Sequence, residues 1–134
     1  FKNGSGVPGL ETLFYALYTG AVRERGLSPI RVAALLAERP ARHFGLYPQK
    51  GALVPGADAD FIVVEPKDWT FDARGMASSV KWSPYDGMRF GARISKTYLR
   101  GKPVYSGRDV VGRRGAGRFV RPVAADRAAP PPAA

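Results

Sequence analysis

Gly45-Leu46-Tyr47-Pro48-Gln49-Lys50-Gly51-Ala52-Leu53-Val54-Pro55-Gly56-Ala57-Asp58-Ala59-Asp60-Phe61-Ile62-Val63-Val64 is the stretch in which the chain changes character. Gly45 stops a helix, Ala52-Leu53-Val54 reads as a short strand, and Pro55-Gly56 is a turn. Phe61-Ile62-Val63-Val64 is a continuous apolar strand, of the kind buried on both faces. Asp58 and Asp60 stand between the turn and that strand, where aspartates accept backbone N–H bonds and fix the strand entry.

Upstream the apolar period is helical. Residues 1–8 form a Gly-rich loop, and a helix follows from near Gly9 or Leu10. Leu10, Leu13, Phe14, Leu17 and Ala21 share one face of it. Glu11 lies in the first turn, where the positive end of the helix dipole favours a carboxylate. Gly26 closes the helix after Arg23 and Arg25. A second helix opens at Ser28-Pro29, a side-chain cap followed by proline at the first helical position. Val32, Leu35 and Leu36 face inward, and Arg39-Pro40 is expected to break the helix before one more short turn through Phe44.

Downstream the pattern is that of strands. Residues 66–82 read as irregular, with Trp69 and Phe71 pinning them to a core. Ser83-Pro84-Tyr85-Asp86-Gly87 is a turn. Ile94 to Leu99 and Val104-Tyr105 make a hairpin about Arg100-Gly101, with Asp109 to Val111 as an added edge. From Ala124 the Ala- and Pro-rich sequence reads as a disordered tail. The helices and the few strands each expect apolar partners from residues outside this chain.

The 134 residues suffice for one modest domain or for pieces of two. No apolar run reaches the roughly 18 residues that a membrane helix requires, and no signal peptide is visible. A first residue other than Met fits a fragment or a processed product. The absence of cysteine is compatible with a reducing cytoplasm. It also bears on metals, because His43 is the single histidine. A catalytic zinc site draws about three ligands from His, Cys and carboxylates, so a histidine-rich metal centre cannot be assembled from this chain. The net charge of +10 is concentrated late, at Arg89, Arg93, Lys96, Arg100, Lys102, Arg108, Arg113, Arg114, Arg118 and Arg121. Such charge could meet phosphates, but no zinc finger, helix-turn-helix or RNP-like motif accompanies it. Solvated strands and a basic tail account for it more simply.

Four motifs in order carry a family likeness: Gly6-Val7-Pro8-Gly9-Leu10-Glu11-Thr12, Pro40-Ala41-Arg42-His43-Phe44-Gly45-Leu46, Lys50-Gly51 and Gly56-Ala57-Asp58-Ala59-Asp60-Phe61. Across residues 4–121 the chain resembles the C-terminal third of the cyclic amidohydrolases: allantoinases, dihydropyrimidinases (hydantoinases) and dihydroorotases. Ser83-Pro84-Tyr85-Asp86-Gly87 with Gly91 to Thr97 looks most like allantoinase. Gly117-Arg118-Phe119 leans to dihydropyrimidinase and Gly9-Leu10-Glu11-Thr12 to dihydroorotase. The resemblance implies an α/β chain: the C-terminal helices of a TIM-type amidohydrolase barrel, followed by part of a small β-sandwich. The divisions are then 1–46 for the end of the barrel, 47–121 for the β-domain and 122–134 for the tail.

By the same resemblance, the parent protein opens a cyclic amide or ureide ring, allantoin ahead of dihydropyrimidine, hydantoin and dihydroorotate. It uses two divalent metal ions, zinc in the first instance, held by histidines, a carboxylated lysine and an aspartate upstream of Phe1. No catalytic or metal-binding residue falls in this chain, which alone is expected to be inactive. The substrate contact implied here is the loop Ser5, Gly6, Val7 and Pro8, whose backbone can approach a ring of alternating amides. A cytoplasmic homo-oligomer is expected, without a membrane or nucleic-acid partner.

Other residues read as structural. His43 has a surface or packing role in a short helical turn, Ser28 is a cap and not a nucleophile, Lys50 is not the bridging lysine, and Trp69, Trp82 and Tyr85 are core or subunit contacts. Asp58 and Asp60 belong to the turn and not to an acid/base pair. Two rival readings remain: a non-catalytic relative such as the collapsin-response mediator proteins, and a basic nucleic-acid-binding module.

Overall fold

The computed structural model describes residues 6–122. The tail assigned to 122–134 lies outside these residues except for its first position, and so does Ser5. No helix among the described residues is long and apolar enough to cross a membrane.

Helix α1 (Leu13–Tyr18) continues without interruption into a π-wound turn, Thr19–Arg23. Gly26 then takes a left-handed φ of 66°, and the N–H groups of Gly26 and Leu27 close on the carbonyls of Val22 and Ala21. Helix α2 (Pro29–Ala33) starts as expected: Ser28 Oγ accepts the Ile30 N–H at 3.3 Å, and Pro29 needs no partner for its missing N–H. The break expected at Arg39-Pro40 does not occur. A π-wound segment, Ala34–Glu38, leads directly into α3 (Arg39–His43), so helical backbone runs from 29 to 43. Proline cannot donate to the preceding turn and its ring crowds the carbonyl four residues back; widening that turn relieves both.

Beyond Gly45 the loop runs against this second helical body. Gly51 has φ 79°, and a Cβ placed there would lie 2.6 Å from Ala41 Cβ and 2.8 Å from the Ala37 carbonyl oxygen. Only glycine fits, because both the dihedral and the contact exclude a side chain. Gly51→Ala is expected to cost about 2–4 kcal/mol from overpacking plus the left-handed penalty. Thermal melts of the full-length protein check this, and an unshifted melt contradicts the contact.

The strand expected at Ala52–Val54 is absent. Ala57 N–H returns to the Val54 carbonyl in a turn, Asp58 N–H bonds to the Gln49 carbonyl, and no neighbouring strand is offered among the described residues. Strand β1 (Phe61–Glu65) pairs antiparallel with β4 (Arg93–Leu99), which pairs antiparallel with β5 (Lys102–Tyr105), giving the order β1-β4-β5. Strand β1 is thus an edge strand. Its Ile62 and Val63 remain 40% and 38% exposed, so the expectation of burial on both faces fails within this chain. The hairpin about Arg100-Gly101 forms as read: Leu99 faces Lys102, and the two turn residues take φ 49° and 73°. The added edge at 109–111 shrinks to one bridge, Tyr105 to Val110.

Two short strands, β2 (Trp69–Thr70) and β3 (Arg89–Phe90), make a second antiparallel pair within and beyond the segment read as irregular. They support the core, in which Phe71, Ala73, Met76 and the fully buried Phe90 meet Tyr15 and Ala16 of α1, together with Trp69 and Tyr85. Trp69 and Phe71 therefore pin this segment as anticipated. Polar links close the same junction. Gly91 N–H donates to Thr19 Oγ1 at 3.0 Å, and Asp68 receives both Arg23 (3.3 Å) and Arg89 (3.1 Å). Helix α1 and the short sheet are one packed unit.

Candidate functional site

The loop entering α1 is held at its far end. The Gly9 carbonyl accepts the N–H of Thr12 (3.1 Å), the N–H of Leu13 (2.9 Å) and the Thr12 hydroxyl (3.1 Å). Thr12 is completely buried. The next tether is Glu11. Its two carboxylate oxygens accept the main-chain N–H groups of Ala77 (3.1 Å) and Ser78 (2.9 Å), across 66 and 67 residues of sequence. Upstream of these anchors, Gly6 has φ 84°, and the backbone groups of Gly6 and Val7 make no hydrogen bond among the described residues. The loop borders an open, mainly apolar depression of about 530 Å³, lined by Val7, Leu10, Leu13, Leu17 and Tyr85. Gly6, Val7 and Pro8 thus lie together at one surface.

A larger space of about 740 Å³ separates the helices from β1, lined by Phe14, Tyr18, Ile30, Val32, Phe61 and Val64 among others. Of the faces read as inward, Phe14, Val32 and Leu36 line it, whereas Leu10, Leu13 and Leu35 are exposed. At its rim, Lys50 lies between two acids: Asp58 at 2.9 Å, and Asp60 closer still. Asp60 also accepts the N–H of Arg100 at 2.7 Å, and the neighbouring Ala59 carbonyl accepts the N–H of Gly101 at 2.9 Å. The acidic turn therefore clamps the distant β4–β5 hairpin. Burial pulls the Lys50 ammonium down, but its bonds to Asp60 and Asp58 outweigh this and leave it above its ordinary value. The Lys50 bond holds Asp58 below the usual carboxylate range. Both carboxylates are thus engaged in structural bonds, to Lys50 and to the Arg100 N–H.

The remaining candidates are structural in their contacts. His43 is exposed and stands edge-on to Phe44, with ring centroids 4.9 Å apart. Ser28 caps α2. Trp69 donates its indole N–H to the Ala92 carbonyl at 2.8 Å, and Trp82 is half exposed. Burial raises the Tyr15 hydroxyl above its ordinary value where the helix meets the sheet. Among the described residues no group of three or more His, Cys, Asp or Glu could hold a metal ion. A single histidine and no cysteine in the whole sequence do not fit a histidine-rich zinc centre. Sequence reading missed the grip of Glu11 on 77–78 and the burial of Thr12. No local pattern announces a partner so far along the chain.

Comparison with known proteins places this geometry. The model of the "Amidohydrolase family" matches residues 4–104. D-phenylhydantoinase from Escherichia coli O81 (strain ED1a) is 34% identical over 118 residues, covering 87% of this chain and 26% of that protein. Among solved structures, an L-hydantoinase (dihydropyrimidinase) from Arthrobacter aurescens superposes with a TM-score of 0.85 at 38% identity, over 90% of this chain and 27% of the other. A D-hydantoinase (dihydropyrimidinase) from Thermus sp. gives 0.84 at 28% identity, over 89% and 26%. The chain thus spans about a quarter of the length of these relatives. Their names are those of hydantoinases and dihydropyrimidinases, so the lean towards allantoinase draws no support from them. The chain belongs to the amidohydrolase family.

Proposed function

We propose that this chain is the C-terminal part of a hydrolase that opens a cyclic amide ring, with hydantoins and dihydropyrimidines as the first substrates. The likeness to hydantoinases over nine-tenths of the chain supports this reading most strongly. In such a reaction water adds to a ring carbonyl, the C–N bond breaks, the nitrogen takes up a proton and a carboxylate is left. Allantoin is itself a hydantoin that carries a ureido group, so it stays in the set as a third substrate.

Residues 1–46 close the barrel of the parent, 47–121 form most of its small β-domain, and the aromatic cluster around Phe90 joins the two. The half-exposed edge strand β1 and the apolar space beside it fit a domain completed by other parts of the polypeptide. The divalent ions implied by the family would be held outside this chain, whose residues cannot supply the ligands. The contribution of this chain to the site is the loop Ser5, Gly6, Val7 and Pro8. The main-chain N–H and C=O groups of Gly6 and Val7, without a partner among the described residues, suit the alternating donors and acceptors of a cyclic ureide. The parent acts in the cytoplasm as a homo-oligomer.

A panel assay of the full-length protein on hydantoin, dihydrouracil and allantoin tests this. Ring opening of hydantoin or dihydrouracil is the expected result. A folded protein that opens none of the three is the non-catalytic relative and overturns the proposal.

A further inference from the structure

We infer that Glu11 is the positioning residue of the substrate loop: its carboxylate, bridging Ala77 N–H and Ser78 N–H, sets where the Gly6–Gly9 backbone stands relative to the ring. The inference rests on the reading of that loop as a substrate contact. The geometry is specific. Both carboxylate oxygens are used, both donors are main-chain, and they come from a segment far along the chain. Charge-assisted bonds of this kind are short and directional, so they transmit position as well as energy. The next residue, Thr12, is buried and fastens Gly9 through its hydroxyl and its N–H. Between Glu11 and Gly6 only Val7, Pro8, Gly9 and Leu10 intervene. Pro8 fixes its own φ, leaving a short and partly stiffened lever whose fulcrum is the Glu11 clamp.

The clamp also carries little of the fold. Glu11 is exposed, and the packed cluster around Phe90 does not include it. Its removal should leave the core intact and release the loop. The segment that receives it is held from its other side as well, since Lys81 Nζ bonds to the Met76 carbonyl. Losing the clamp therefore leaves the receiving segment tethered through Lys81 and loosens the Gly6–Gly9 side. A misplaced binding loop weakens ground-state and transition-state contacts together, so KM is the parameter that should move.

The test uses the full-length protein, with hydantoin as the probe. Glu11→Ala is expected to raise KM by about tenfold with kcat within about twofold and with an unchanged melting temperature. Glu11→Gln keeps one carbonyl oxygen as acceptor and should recover part of the loss. Gly6→Ala, which strains a position at φ 84°, is measured beside them as the reporter of loop contact. If Gly6→Ala raises KM and Glu11→Ala does not, the positioning role is wrong and the loop reading stands. If neither variant moves KM, the loop reading itself fails and takes this inference with it. A Glu11→Ala protein that melts early while KM holds makes the clamp purely structural and overturns the inference.

Discussion

Residues 1–134 produced as a separate chain should open no hydantoin or dihydrouracil above the uncatalysed rate, with or without added zinc or manganese. Enzymes of any class accelerate their reactions by at least about 10⁶-fold, so the contrast with the full-length protein is large. The expectation follows from the composition. Cyclic amides resist water until a nucleophile is generated and the leaving nitrogen is protonated. This chain has one histidine, exposed beside Phe44, and no cysteine. Its two neighbouring aspartates are held by Lys50 and by the Arg100 N–H. A loop that can bind part of the ring is not a catalyst. The check is ring-opened product, followed chromatographically with each metal in turn. Turnover above background by the separate chain would place a catalytic site within these residues and contradict the account.

Asp60→Ala should lower folding yield and stability and leave the chemistry of the folded protein alone. Arg100 stands at φ 49° without being glycine, in a two-residue hairpin turn. That conformation is disfavoured for a side-chain-bearing residue and is held by the bond from Arg100 N–H to Asp60. Removing the carboxylate orphans this donor and deprives Lys50 of its closer partner. The cost is about 1–3 kcal/mol, the range for a polar group left unpaired away from water. Asp60→Asn, which still accepts from Arg100 but gives up the charge, should lie between the two. Soluble yield and melting temperature of the full-length variants measure this. A well-folded Asp60→Ala protein without activity would assign the residue to chemistry instead.

The same cluster gives a pH dependence whose sign can be worked out. Asp58 is held low, so its contribution is present above about pH 3.9, the ordinary carboxylate value, and is lost as pH falls through its depressed folded value. Lys50 is raised, so its contribution is complete below about pH 10.4, the ordinary lysine value, and is lost as pH rises through its higher folded value. Stability that depends on the cluster should therefore be flat through neutrality and fall at both extremes. Asp60→Ala flattens the alkaline fall.

How much of this was legible beforehand depended on how local each cause was. Ser28-Pro29, Gly26, Gly45 and the Arg100-Gly101 hairpin were readable because each element carries its own signal within a few residues. The uninterrupted run through Pro40 was not, since π-winding of the preceding turn has no sequence signature. Ala52-Leu53-Val54 looks like a strand but lies along a helical body that needs Gly51 for its approach, and a short apolar run cannot declare which neighbour it will meet. Strands β2 and β3 are two residues each, assembled from positions twenty apart, and the aromatic core made them worthwhile. At the candidate site, the glycine loop could be found only through the family's motif order. The hold of Glu11 on Ala77 and Ser78 could be found only in three dimensions.

The most direct measurement is kcat/KM for hydantoin, taken side by side on the full-length protein and on residues 1–134 alone. A chain that closes a larger cyclic-amide hydrolase predicts turnover in the first and none in the second. Turnover by the short chain, or a folded and metal-replete full-length protein that leaves hydantoin, dihydrouracil and allantoin all intact, would contradict it.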